Sequence, residues 1–368
     1  MKFRCERDVL AEALATAGRA VANRGGALPV LSGVLLHLEG NRLEVTGSDL
    51  DLTISVTVPE DKVTGEADGV VVLPARLASD VVRSVEEGAV TFETDDEQAR
   101  VTGGSAEFEI RLIPADEFPR LAQPEGDAVT LEAEAFGTAL KQVIPAASSD
   151  DSRPILTGVL LSAEEDGLRL VATDSYRLAV RTMPGTSVLA EGQKVLVPSR
   201  ALSELARALP DSGEVTLRLG ERDAAFDVDG IRLVTRLIEG DFPNYQGLIP
   251  SGQANVLSVG RAPLLDALRR VKLLAREATP VRLVMKPEGD LELLAVTQDV
   301  GQAHDEVAAS FEGTELTVAF NPDYLLQGLE VCPGDDLRIE TLDALKPALI
   351  KSVEGTEFLY LLMPVRVS

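Results

Sequence analysis

The chain has 368 residues, 45% of them hydrophobic, 4% aromatic and none Trp. That is too long for one core, so two to three domains packed by Leu, Val, Ala and Ile are expected, and disorder is not. The net charge of −25 argues against phosphate binding if it is evenly spread. No apolar run of roughly 18 residues or more occurs, and MKFRCERDVL lacks a signal-peptide core. A soluble, cytoplasmic protein with no membrane partner is therefore expected.

In chain order, Val9, Leu10, Ala13, Leu14 and Ala17 stand at helical spacing and predict a helix over 7–24. Short alternating runs predict strands at Leu43-Glu44-Val45, Val90-Thr91-Phe92 and Phe108-Glu109-Ile110, with a helix over 75–87 between the first two. Further helices are predicted over 134–146, 199–210 and 261–277, the last from Leu264, Leu265, Leu268, Val271 and Leu274. Val215–Leu219 alternates as a strand. Asn321 followed by Pro322 is a helix start, predicting a sixth helix over 321–330.

The order repeats because the sequence does. Leu28-Pro29-Val30-Leu31-Ser32-Gly33-Val34-Leu35-Leu36 returns as Arg153-Pro154-Ile155-Leu156-Thr157-Gly158-Val159-Leu160-Leu161, and Ser48-Asp49 as Thr173-Asp174. Val72-Leu73-Pro74-Ala75-Arg76, Leu196-Val197-Pro198-Ser199-Arg200 and Phe320-Asn321-Pro322-Asp323-Tyr324 place three prolines at equal intervals. Arg111-Leu112-Ile113 with Phe118-Pro119, and Arg236-Leu237-Ile238 with Phe242-Pro243, close the first two copies. Leu361-Leu362-Met363-Pro364 takes that place in the third. Turn-like segments at 124–126 and 250–252 divide the chain into domains 1–124, 125–250 and 251–368. The fold class is α+β, with three repeated domains of helices packed on antiparallel sheets.

Charge follows the same division of elements. The six predicted helices carry thirteen basic and eleven acidic residues, whereas the remainder carries twenty-two basic and forty-nine acidic. Helices lining one cavity would make it near neutral to basic inside an acidic exterior, suited to weak, sequence-blind phosphate contact.

Catalytic chemistry finds little support. His37 and His304 lie in different copies, Cys5 and Cys332 are far apart as reduced thiols, and no phosphate-binding glycine loop occurs. Asp49, Asp174 and Asp299 follow apolar strands in the three copies, where a turn role is expected. No catalytic residue, metal site or cofactor is expected. The residues alone leave open a scaffold without DNA, or an enzyme using Asp174.

Leu28–Leu36, Ala172-Thr173-Asp174-Ser175-Tyr176-Arg177-Leu178-Ala179 and Leu361-Leu362-Met363-Pro364-Val365-Arg366 resemble the bacterial DNA polymerase III beta subunit family, the DNA sliding clamps, over the whole chain. The resemblance implies a ring-forming clamp fold, a head-to-tail homodimer with helices lining the hole, and a non-enzymatic processivity factor on duplex DNA of any sequence. It implies as partners the replicative polymerase catalytic subunit, the clamp loader and other proteins carrying short clamp-binding peptides. Their groove would be formed by Leu156, Thr173, Ser175, Tyr176, Arg177, Leu178, Pro243, Leu248, Leu345, Pro347, Leu361, Leu362, Met363, Pro364, Val365 and Arg366. Pro364 removes a backbone donor, so the segment after it need not pair as a strand and can line the groove, where Arg177 and Arg366 would meet polar groups of the peptide. DNA contacts are implied for Arg24, Arg153 and Arg200. The dimer contact is implied for Leu77 and Ile110 against Leu273 and Leu274.

Overall fold

The computed structural model describes residues 1–22, 28–119, 124–275 and 279–366. Among these, all six expected helices form: α1 (Arg7–Ala17), α2 (Ala75–Ser84), α3 (Ala133–Val143), α4 (Ser199–Ala208), α5 (Arg261–Lys272) and α6 (Pro322–Val331). Five stop short of their expected ends, two of them for visible reasons. A 3-10 turn, Gly18–Ala20, replaces the end of the first. After α2, Val85 turns extended and drops into the core. In α6 the Asn321 side chain accepts from the backbone N–H of Asp323 and Tyr324, with Pro322 at the first helical position, as the sequence anticipates. The proline landmark does not play one role throughout. Pro74 and Pro198 close strands before their helices, whereas Pro322 opens one.

Strands form four antiparallel sheets in two compact units. The first unit, Met1–Glu134 with Glu204–Leu237, holds a five-stranded and an eight-stranded sheet. Its core joins Leu10, Leu14 and Ala17 of α1 and Ala78, Val81 and Val82 of α2 to strand residues such as Phe3, Leu36, Val45 and Phe92. The second unit, Ala135–Ser203 with Ile238–Ser368, holds a nine-stranded and a four-stranded sheet. Apolar faces of α5 (Leu264, Leu268, Val271) and α6 (Leu325, Leu329) are buried there.

Both large sheets are built across copies. In the eight-stranded sheet, Leu52–Val58 of the first copy pairs with Ile231–Arg236 of the second, Val56 opposite Ile231. In the nine-stranded sheet, Arg177–Pro184 of the second copy pairs with Phe358–Leu362 of the third, Arg177 opposite Leu362. The seam strands occupy the same places in their copies. A tight turn precedes Leu52–Val58, Arg177–Pro184 and Gly301–Val307, one strand in each copy, and a left-handed residue marks it: Leu50, Ser175 and Asp299. This register corrects the sequence alignment of the aspartates. Gln298, one residue earlier than Asp299, stands where Asp49 and Asp174 stand.

Candidate functional site

The Thr173–Arg177 turn is held by its own side chains. Thr173 Oγ1 donates to the Arg177 carbonyl (2.6 Å) and accepts from Ser175 N–H (3.2 Å). Asp174 Oδ1 accepts from Tyr176 N–H (2.9 Å) and Arg177 N–H (3.0 Å). An Asx turn of this kind, with Ser175 at φ 80°, leaves Tyr176 58% exposed at its tip. The same geometry binds Asp49 to Asp51 N–H and Leu52 N–H, so these carboxylates serve backbone amides. Met363 N–H donates to the Tyr176 carbonyl (2.9 Å) and so fixes the last strand beside the turn.

Residues opposite one another in an antiparallel pair share a face. Leu178 faces the same side as Leu361, its partner, and Thr173 pairs with Leu178. On this side Leu178 and Leu361 pack with Val171, Val180, Leu349 and Tyr245, and with half-buried Phe242 and Ile249 from the segment that crosses over them. Leu248, Leu345, Met363 and Val365 are exposed apolar side chains nearby in the chain, with Pro243 exposed and Pro347 half-buried. Sequence reading missed Phe242, Tyr245, Val180 and Leu349. The two-residue spacing from Leu178 to Val180 is the available signal for Val180.

Several expected members fall elsewhere. Leu362 pairs with Arg177 on the opposite face, and both are buried. Arg177 is 7% exposed, its Nε donating to Asp174 Oδ2 at 3.0 Å. Leu156 is buried outside the apolar cluster, where its neighbour Ile155 packs instead. After Leu362 the chain runs on outside any strand, with Val365 N–H donating to the Ala319 carbonyl at 2.8 Å. Pro364 removes only its own donor, so the next amide can still pair. Arg366 is exposed.

Arg24 lies outside the described residues. Arg153 is exposed, with its guanidinium on Asp150 at 3.0 Å. Arg200 is exposed in the first turn of α4. Much of the helix charge is internally paired, Arg269 with Glu330 (2.9 Å), Arg270 with Asp305 (2.6 Å) and Lys272 with Asp323, which weakens the basic field the residue count suggests. Leu77 is exposed, Leu273 is 81% exposed and Leu274 half-buried. Ile110 departs from expectation: at 2% exposure it belongs to the core of the first unit, because it points inward from its strand. Among the described residues no group of His, Cys, Asp or Glu could hold a metal, and no helix is long and apolar enough to cross a membrane.

Three family models match successive parts of the chain: the DNA polymerase III beta subunit N-terminal domain at 1–122, central domain at 130–244 and C-terminal domain at 246–366. The chain belongs to the DNA polymerase III beta subunit family. It is 38% identical to the beta sliding clamp of Streptomyces coelicolor, with all of both chains covered. It is 31% identical to that of Bacillus subtilis over 86% of each. The solved Bacillus subtilis DNA polymerase sliding clamp superposes with a TM-score of 0.92 at 31% identity, covering 100% of both chains. A Pseudomonas aeruginosa sliding clamp bound to griselimycin gives 0.90 at 28%, also over 100% of both. Members of this family are non-catalytic processivity factors of DNA replication with a three-domain clamp fold, partners of DNA and polymerase that dimerise. Asp174 therefore reads as a turn residue, and the enzyme and scaffold alternatives fall away.

Proposed function

We propose that two copies close head-to-tail into a ring around duplex DNA, and that the face around Tyr176, Leu178, Leu361 and Met363 receives short peptides of the polymerase, clamp loader and other partners. The carrying observation is the seam. Within one chain it forms twice, between equivalent strands of successive copies. Two strands at seam positions end their sheets with one edge unpaired: Ala106–Arg111 in the five-stranded sheet and Gly301–Val307 in the four-stranded sheet. An unpaired edge is an invitation to association. Joining the third copy of one chain to the first of the next would make the same seam again. The exposed apolar Leu77 lies on α2, which packs beside the first edge, and Leu273 and Leu274 follow α5, which packs beside the second. Such a heterologous contact must close on itself to avoid filaments. Domains bounded near 124–126 and 250–252 follow from the internal repeat.

In this reading Arg153, Arg200 and Arg24 touch phosphates weakly, and topology keeps the protein on DNA. A ring working on the chromosome of a bacterium is cytoplasmic. The test is sedimentation of the purified chain and of Leu273→Glu. A mass twice the 39.2 kDa of one chain is expected for the first and monomer for the second, since a charge would be buried unpaired only in the dimer. A native monomer or trimer, or an unaltered dimer in the variant, would contradict the proposed contact.

A further inference from the structure

We propose that Arg177 is a positioning residue: a buried cation that fixes the Tyr324–Tyr176 aromatic pair for the incoming peptide without touching the peptide itself. This rests on the groove reading above. The Arg177 guanidinium joins three elements. Its Nε donates to Asp174 Oδ2 (3.0 Å) of the turn. Its Nη1 donates to Gln327 Oε1 of α6 and lies 3.5 Å from the Tyr360 hydroxyl of the last strand. Its central carbon sits 4.1 Å from the centre of the Tyr324 ring. Tyr360 in turn donates to the Tyr324 carbonyl at 2.9 Å, and Gly328 makes room for it, since a Cβ there would lie 2.4 Å from the Tyr360 ring. Beyond Tyr324 stands Tyr176, the rings 6.4 Å apart and tilted by 31°. The sequence in space is a buried cation, a half-buried ring and an exposed ring.

The internal repeat supplies a control. In the first copy the same turn forms, with Asp49 accepting from Asp51 N–H (3.1 Å) and Leu52 N–H (2.9 Å) and Leu50 left-handed. Leu52 stands there in the place of Arg177, buried in the equivalent seam opposite Thr235. In the third copy the place belongs to Gly301. Neither turn nor seam needs a cation, and burying one is costly unless it is fully paired. A leucine would serve the fold alone. A guanidinium does what leucine cannot: it lies flat on a ring while directing N–H groups in its own plane to a carboxylate and an amide. It thereby ties the Tyr324 ring of α6 to the turn that carries Tyr176.

Calorimetry on the full-length dimer with a polymerase-derived peptide tests this, using Arg177→Leu, Arg177→Lys, Tyr324→Leu, Tyr176→Ala and the Arg177→Leu/Tyr176→Ala double variant. Arg177→Leu and Tyr324→Leu are each expected to weaken binding about tenfold. Lysine should restore little, because it cannot stack and bridge together. In the Tyr176→Ala background, Arg177→Leu should add no further loss, since it acts through that ring. Fully additive losses, or undiminished affinity in Arg177→Leu while Tyr176→Ala is weakened, would overturn this proposal alone. Undiminished affinity in Tyr176→Ala would overturn the groove reading itself. Should Arg177→Leu fail to fold, Tyr324→Leu carries the test, and unchanged affinity there overturns the proposal.

Discussion

Tyr176 and Arg177 are adjacent in the chain and opposite in setting. One is exposed at the tip of the Asx turn and the other, the first residue of the strand that follows, is enclosed behind it. The exposed pair Tyr176 and Met363, joined through a backbone hydrogen bond, has the amphipathic and adaptable chemistry of a peptide anchor. Changing both to Ala is expected to weaken a peptide bearing Gln and two bulky apolar residues by a few kcal/mol in calorimetry, with sedimentation unchanged. Undiminished binding would remove these two from the groove. Burial dominates the setting of both cysteines. Desolvation pushes the Cys5 thiol up to about 11 and Cys332 up to about 12, so both stay protonated at pH 8 and unreactive. Iodoacetamide should label neither in the folded chain and both in denaturant; rapid labelling of native protein would contradict this burial. Residue type was legible in the sequence for Tyr176, Leu178 and Leu361. For Arg177 and Leu362 the sequence does not tell which face they take, since facing depends on which strand pairs with which.

At the level of elements, helix starts were the most legible feature because they are local chemistry. Asn321 and Pro322 fix the start of α6 through one side chain and one ring. Removing the cap by Asn321→Ala should cost about 1 kcal/mol of stability, seen as a lower urea midpoint at unchanged slope; an unaltered midpoint would mean the cap carries no weight. Helix ends were less legible. Val85 leaves α2 to fill the core against Gly103, a tertiary demand that no capping residue announces. Strand pairing across copies was least legible, because the seam joins Leu52–Val58 to Ile231–Arg236, far apart in sequence. Repetition in the sequence revealed the copies, and the repeated left-handed position then revealed their true register, with Gln298 rather than Asp299 beside Asp49 and Asp174.

Over the whole molecule, the acidity resides largely outside the helices, yet pairing such as Arg270 with Asp305 leaves little unopposed positive charge on α5. Attraction to phosphate is accordingly weak and, with a Debye length of ~8 Å at physiological salt, easily screened. Retention on DNA must then come from closure, which salt does not weaken directly. The decisive measurement is gel filtration at high salt after a clamp loader has placed the protein on a nicked circular duplex, before and after the circle is cut. Co-elution with the circle and release from the cut DNA are predicted. Loss from the intact circle at high salt, or persistence on the linear product, would contradict a ring that holds DNA by encircling it.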